Sequence, residues 1–227
     1  LFNDPFYFEQ KISNKLFYEK IQELRKEILF NENLINSFLT IFATKKSSRI
    51  YFDFPRLRAI TTYGHFLDEA RPAYYFHRDT WYGNSPSQWN IWVPLCEINQ
   101  KNSFGFAPDY FFKEIKNNSE LFKLESWNRK GGFQSLNSDA NIDKVFPRNL
   151  MEIPCDKIHR FNLNENEGII FSAHHLHGTL PNYSDSTRFS LEFRIVFESD
   201  LLTGNSAPEV DNKSKGSFLK EFNSKFI

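Results

Sequence analysis

Cysteine is nearly missing from this chain, and so is any long apolar run. Cys96 and Cys155 are too few for a disulfide framework. That excludes a small disulfide-stapled fold and favours a reducing compartment, cytoplasmic in expectation. No stretch approaches the ~18 consecutive apolar residues that a membrane span requires. No secretory leader is visible either, although the chain opens on Leu1 and a trimmed segment ahead of it stays open. Excess charge of either sign is absent, since Lys+Arg and Asp+Glu both number 28. No bulk field therefore draws the protein to nucleic acid or to a membrane, although a local basic patch stays open.

What is present is a chain of 227 residues, 40% hydrophobic, which is enough for one domain with a substantial core. Residues 1–45 read as two helices. Ile12, Leu16, Ile21, Leu24 and Ile28 recur at helical spacing, Ser13 or Asn14 can cap the first turn, and Leu34, Ile35, Phe38, Leu39 and Phe42 form a second apolar stripe. From residue 49 the pattern changes to short strands, expected at 49–54, 57–63, 73–80, 88–95 and 103–107, and again at 157–163, 168–172, 175–180 and 187–197. Between these sets, 111–150 reads as an insertion. It holds a polar helical patch from Lys113 to about Trp127, then Gly131-Gly132, and its length and position suggest a lid. The tail from Ser199 to Lys215 reads as polar and loose, with a short helix in the last dozen residues. Two helices followed by short strands at hairpin spacing make a mainly β fold with flanking helices, best matched by a jelly roll. One domain over 1–227 is expected, with helices in 1–45, the β core in 49–198 and a tail in 199–227.

Within the strand expected at 73–80, His77 and Asp79 lie two positions apart, so an extended backbone points both to one face. An imidazole and a carboxylate converging in this way supply two corners of a three-ligand site. A distal histidine completes the 2-His-1-carboxylate set associated with non-haem Fe(II) oxygenases. By itself a His-x-Asp pair is more often a surface ion pair than a metal site. About a hundred residues on, His174, His175 and His177 cluster in one segment, and on an extended backbone His175 competes with His177 for the ligand position. The strand at 187–197 then alternates Arg188, Ser190, Glu192 and Arg194 against Phe189, Leu191, Phe193 and Ile195. One face of a buried strand that is polar throughout needs partners or a ligand. An internal Glu192–Arg194 ion pair would satisfy half of it.

The His77-x-Asp79 pair, the Gly168-Ile169-Ile170-Phe171 strand and the His177-Gly178-Thr179, Pro181-Asn182, Ser184, Arg188 run together resemble the Fe(II)/2-oxoglutarate-dependent oxygenases. Within them the resemblance is to the phytanoyl-CoA dioxygenase-like branch, over residues 57–198. It implies a double-stranded β-helix, with His77, Asp79 and His177 as Fe(II) ligands and catalytic centre. It also implies 2-oxoglutarate as cosubstrate, its distal carboxylate on Arg188, and O2 as oxidant. Aspartate at 79 keeps the full triad, which speaks against halogenation. The implied activity is hydroxylation of an unactivated C–H bond in a small metabolite or natural-product intermediate.

Ser190 is placed to support the same carboxylate. Gln88 and Asn90 share a face with Trp92, either as further 2-oxoglutarate contacts or as a polar edge. Trp81, Tyr82 and Trp92 are substrate-pocket candidates, although aromatics in a chain 17% aromatic are more often core. Asn102 and Ser103 read as a turn, and His65 and His159 as structural. Two other functions fit the same residues: a metal-binding jelly roll without turnover, against which the intact triad and Arg188 speak, and a zinc hydrolase, in which Arg188 would have no role.

Overall fold

A computed structural model describes residues 5–42, 49–129, 144–164 and 166–226. Helix α1 (Asn14–Leu29) starts where the Ser13 side chain accepts from Leu16 N, and α2 (Glu32–Ile41) where Asn31 accepts from Leu34 N at 3.0 Å. Each cap satisfies an N–H that the first turn leaves without an intrahelical partner. The buried faces of these helices (Phe17 and Ile21; Ile35, Phe38 and Leu39) pack against one side of a large sheet.

That sheet has six strands in the order β6 (Ile169–Ser172), β3 (Trp89–Pro94), β8 (Arg188–Phe197), β1 (Arg49–Phe52) and β9 (Asn223–Phe226), with β2 (Arg56–Ile60) also paired to β8. Ten-residue β8 is shared along its length. Arg188–Glu192 pairs with β2 and Ile195–Phe197 with β1, while β3 runs along its other side. The period-2 alternation of these strands sorts them by face. Leu57, Ile91, Leu191 and Phe193 join the core under the helices, where Phe38 stacks on Phe193 at 4.8 Å. Side chains of this kind contribute roughly 1.5–3 kcal/mol each on burial, so the helices are held by the apolar face. The opposite face carries Arg56, Arg58, Asn90, Trp92, Glu192 and Arg194.

A second, three-stranded sheet, in the order β5 (His159–Arg160), β4 (Phe104–Phe106) and β7 (His177–Thr179), is extended by an antiparallel bridge between His77 and His177. The chain passes alternately between the sheets: β2 in the large one, His77 in the small one, β3 large, β4 and β5 small, β6 large, β7 small, β8 large. This alternation of antiparallel strands is the double winding of a jelly roll.

Several expectations differ from the structure. The strand at 73–80 is only a bridge at His77, flanked by 3-10 helices Asp68–Tyr74 and Asp79–Tyr82. The Lys113–Trp127 helix is reduced to a 3-10 turn Ser119–Leu121 and α3 (Leu124–Arg129), because backbone groups here bond across the fold instead: Leu124 N donates to Lys215 O and Asn118 N to Arg148 O. The tail is not loose. It forms α4 (Glu198–Thr203), and Asp211 is 3% exposed. The last dozen residues form a 3-10 turn Phe218–Glu221 and then β9 on the open edge of β1. Gly131 and Gly132, the hinge of the expected lid, lie outside the described residues.

Candidate metal centre

His77 and His177 face one another because their backbones exchange both hydrogen bonds of a bridge, His77 N to His177 O at 2.9 Å and His177 N to His77 O at 3.0 Å. Two glycines make that approach possible. Gly178 and Gly105 are paired across β7 and β4, and the Phe76 ring lies on both. A Cβ on Gly178 would stand 2.8 Å from Phe76. Phe76 therefore covers one side of the small sheet while His77 projects from the other. Asp79 opens the next 3-10 turn, its N–H held by Ala173 O at 2.8 Å and its carbonyl by Asn84 Nδ2 at 2.9 Å. The turn closes at Gly83, whose φ of +78° lies in the left-handed region that favours glycine.

The two imidazoles are oriented alike. His77 Nδ1 is 2.8 Å from Tyr75 O, and His177 Nδ1 is 2.8 Å from His175 O. A carbonyl can only accept, so each Nδ1 carries the proton and each Nε2 presents its lone pair. Those Nε2 atoms lie 3.4 Å (His77) and 3.8 Å (His177) from Asp79 Oδ1. One donor atom from each of the three residues falls within 4.8 Å of the others, a spacing that a single ion can bridge. Asp79 Oδ2 is turned away, accepting from Asn90 Nδ2 at 2.7 Å with Arg194 Nη2 at 3.7 Å. Asn90 is itself oriented by Gln88, whose Nε2 donates to Asn90 Oδ1 at 2.7 Å.

The electrostatics suit a cation. Burial works against ionisation of Asp79, but Arg194 heads the groups that outweigh it and hold the carboxyl well below its usual range. Burial, with His77 alongside, pushes His177 down to about 4, so its ring is neutral and free to ligate at pH 7. The donor set of two imidazoles and one carboxylate, with Phe104, Phe106 and Phe171 packed about the His177 ring, is of the kind that takes Fe(II).

The other expected residues fall into place by contact. The segment at 173–176 is a turn, not a strand, so the facing argument for His175 fails. Its ring packs on Phe106 and Phe111, its Nδ1 is 3.3 Å from Ser172 O, and it is outside the cluster. His174 is buried with Nε2 at 3.0 Å from Phe111 O. Tyr82, Asn90 and Trp92 line a cavity of about 260 Å³ in front of the triad. Trp81 does not; it is fully buried core, with Nε1 donating to Asp211 Oδ1 at 2.8 Å. Gln88 supports Asn90 and is likewise off the cavity wall. Arg188 is 2% exposed and off the wall as well. Its Nη1 donates to Asn102 O and Ser103 O, both at 2.9 Å, while its Nε and the Ser190 Oγ are buried without a partner. The expected Glu192–Arg194 pair is replaced by Glu192–Arg58 at 3.0 Å, leaving Arg194 to Asp53 and Asp79.

Two groups of residues had no role in the sequence reading. Arg56 and Arg58 line the cavity from β2, whose start at Arg56 is one residue earlier than expected; their alternation with Leu57 is the available signal. Asp211 receives Arg78, Trp81 and Ile115 from a segment without periodicity, and nothing local marks it.

No protein-family model matches the sequence, and no curated protein matches it. Solved structures do show a likeness. They include the non-haem monooxygenase ThoJ in its apo form (12% identity, TM-score 0.43, 66% of this chain and 47% of that one). EvdO2 from Micromonospora carbonacea var. aurantiaca, complexed with 2-oxoglutarate, is another (12% identity, TM-score 0.44, 78% and 64%). A third is the non-haem α-ketoglutarate-dependent epimerase SnoN from nogalamycin biosynthesis (12% identity, TM-score 0.36, 66% and 50%). The chain spans about half the length of ThoJ and of SnoN. Similarity at this level carries no information on substrate or reaction.

Proposed function

We propose that the protein is an Fe(II)- and 2-oxoglutarate-dependent oxygenase that hydroxylates a C–H bond of a small molecule. The observation that carries this reading is the convergence of His77 Nε2, His177 Nε2 and Asp79 Oδ1 at the head of a cavity, with both ring tautomers set by backbone carbonyls. Bound Fe(II) supplies, with O2 and 2-oxoglutarate, the oxidising power for a C–H bond, the cosubstrate leaving as succinate and CO2.

The chain's own part is positioning. Tyr75 O and His175 O lock the imidazoles by holding their Nδ1 protons, as carbonyls behind metal-bound histidines commonly do. Asn90 and Arg194 occupy Asp79 Oδ2, so the carboxylate offers the metal one oxygen and leaves room for other ligands on the open side. Phe104, Phe171 and Trp92 keep that side apolar and exclude water. Arg188, with Ser190, receives the distal carboxylate of 2-oxoglutarate. In support, both lie on the same face of β8 as Glu192 and Arg194, and the unpartnered Nε and Oγ are buried donors that a carboxylate would satisfy. Arg194, which is on the cavity wall, is the alternative receiver.

The test is succinate formation from 2-oxoglutarate by Fe(II)-loaded protein, together with Mn(II) affinity by calorimetry. Wild type should do both and Asp79→Ala neither. Metal binding without any succinate, even with candidate substrates supplied, would favour a binding protein instead. Hydrolysis by a Zn(II)-loaded form would favour a hydrolase.

A further inference from the structure

The cavity wall opposite the helices' apolar core is more cationic than a metal site needs. Five cationic side chains line it (Arg25, Arg56, Arg58, Lys144 and Arg194) against two carboxylates, Asp79 and Glu192. Four of them have a visible use. Arg58 pairs with Glu192 at 3.0 Å, Arg56 with Asp53 at 2.5 Å, Arg194 lies between Asp53 and Asp79, and Lys144 sits over the Trp127 ring at 5.3 Å. Arg25 is the exception. It comes from α1, outside the β core, and reaches the cavity across the free edge of β2, where its Nε donates to Leu57 O at 3.1 Å. That single bond caps an edge carbonyl. Among the described residues, no carboxylate lies within 4.0 Å of its guanidinium. Burial, and then Arg58 beside it, lowers its pKa to about 10, as expected of a cation held near another cation.

Two guanidiniums that line one cavity and disfavour each other, with Glu192 offsetting only part of that, attract a further anion. Beside these charges the wall carries apolar side chains, Leu29, Pro55 and Phe146 among them. We propose that the substrate is a small anion, a carboxylate or phosphate monoester on a short apolar body, and that Arg25 with Arg58 binds its charged end while the body extends toward the triad. This rests on the oxygenase reading for the word substrate. The binding claim itself stands on the cavity alone.

The probes are hexanoate and hexyl phosphate, with hexanamide and hexanol as uncharged counterparts. Binding is followed through Trp92 and Trp127, which both line the cavity. Titrations use Mn(II)-loaded protein saturated with 2-oxoglutarate and, in parallel, metal-free protein, so that a failure of metal binding is seen separately. At least one anion should bind tenfold or more tighter than its neutral counterpart, and the two anions distinguish carboxylate from phosphate. Arg25→Gln should abolish that preference and leave 2-oxoglutarate affinity unchanged, while Arg25→Lys should retain most of it. Should Arg25→Gln fail to fold, the preference in wild type and its loss on raising salt decide the matter. Equal binding of charged and neutral probes, or no binding of any, overturns the proposal. So does a loss of 2-oxoglutarate affinity in Arg25→Gln, which would make Arg25 part of the cosubstrate site.

Discussion

Removing Asp211 should loosen the metal centre from a distance. Asp211 lies in the C-terminal segment, yet its carboxylate sits against Arg78, the residue between the ligands His77 and Asp79. Arg78 Nε is 3.1 Å from Oδ1 and 3.2 Å from Oδ2, and both side chains are fully buried. Oδ1 also accepts from Trp81 Nε1 at 2.8 Å and Oδ2 from Ile115 N at 3.1 Å. The remaining Arg78 nitrogens donate to the carbonyls of His174 (2.5 Å), Tyr110 (2.7 Å) and Lys113 (2.9 Å). One guanidinium thus ties the tail, the His77–Asp79 segment and the turn before His177. Asp211→Ala leaves a buried cation without its counter-charge and two buried N–H groups without acceptors. Breaking a buried pair in this way costs about 3–5 kcal/mol, a large share of the ~5–15 kcal/mol that holds a typical domain. For a chain of this size it corresponds to a fall in Tm of roughly 10 °C. Asp211→Asn, which retains an acceptor, should lose less. Both would be measured by urea and thermal unfolding, with Mn(II) calorimetry well below the transition. We expect Asp211→Ala to lower metal affinity at least tenfold while still folded. Stability within about 1 kcal/mol of wild type would refute the energetic argument. Lost stability with unchanged metal affinity would show that the tail supports the fold and not the ligand geometry.

Arg188→Lys should raise the half-saturating 2-oxoglutarate concentration by roughly an order of magnitude, because an ammonium cannot reproduce the planar two-point grip on a carboxylate; unchanged affinity would transfer that role to Arg194. Gly178→Ala should force Phe76 away from β7 and with it the His77 backbone, at a cost of about 1–3 kcal/mol. Mn(II) affinity and urea unfolding should both fall, and wild-type values would show that the Phe76 ring yields without moving His77. His174, buried and beside Arg78, has its pKa pushed down from 6.5 to about 4. The unfolded chain therefore binds the extra proton between those values, and stability should fall as pH drops through that window. Urea unfolding at pH 7 and pH 5 should show a smaller loss in His174→Asn than in wild type, and equal losses would exclude His174 as a source.

The parts of this protein legible in its sequence are those governed by short-range periodicity. Alternation along β8 separates Phe189, Leu191 and Phe193 from Arg188, Glu192 and Arg194, and the structure turns the first set to the helices and the second inward. The cap Ser13 lies one turn from the group it binds, and the structure has it in that role. His77 and Asp79 share a direction for the same local reason, even though the expected strand shrinks to a bridge and a turn. The choice among three clustered histidines was not local. It depends on whether 173–176 is extended or turned, which is decided by hydrogen bonds to Gln88, Asp79 and Ala107 from other segments of the chain. Gln88 and Trp81 turn their polar atoms to Asn90 and Asp211, partners that lie outside the reach of local pattern in the case of Asp211. Arg25 and Asp211 lie far from the triad in sequence, in an amphipathic helix and a polar tail of ordinary composition. Only the closed fold brings them to the cavity and the ligand segment, because a buried charge finds its partner in space and leaves no trace in the spacing of residues along the chain.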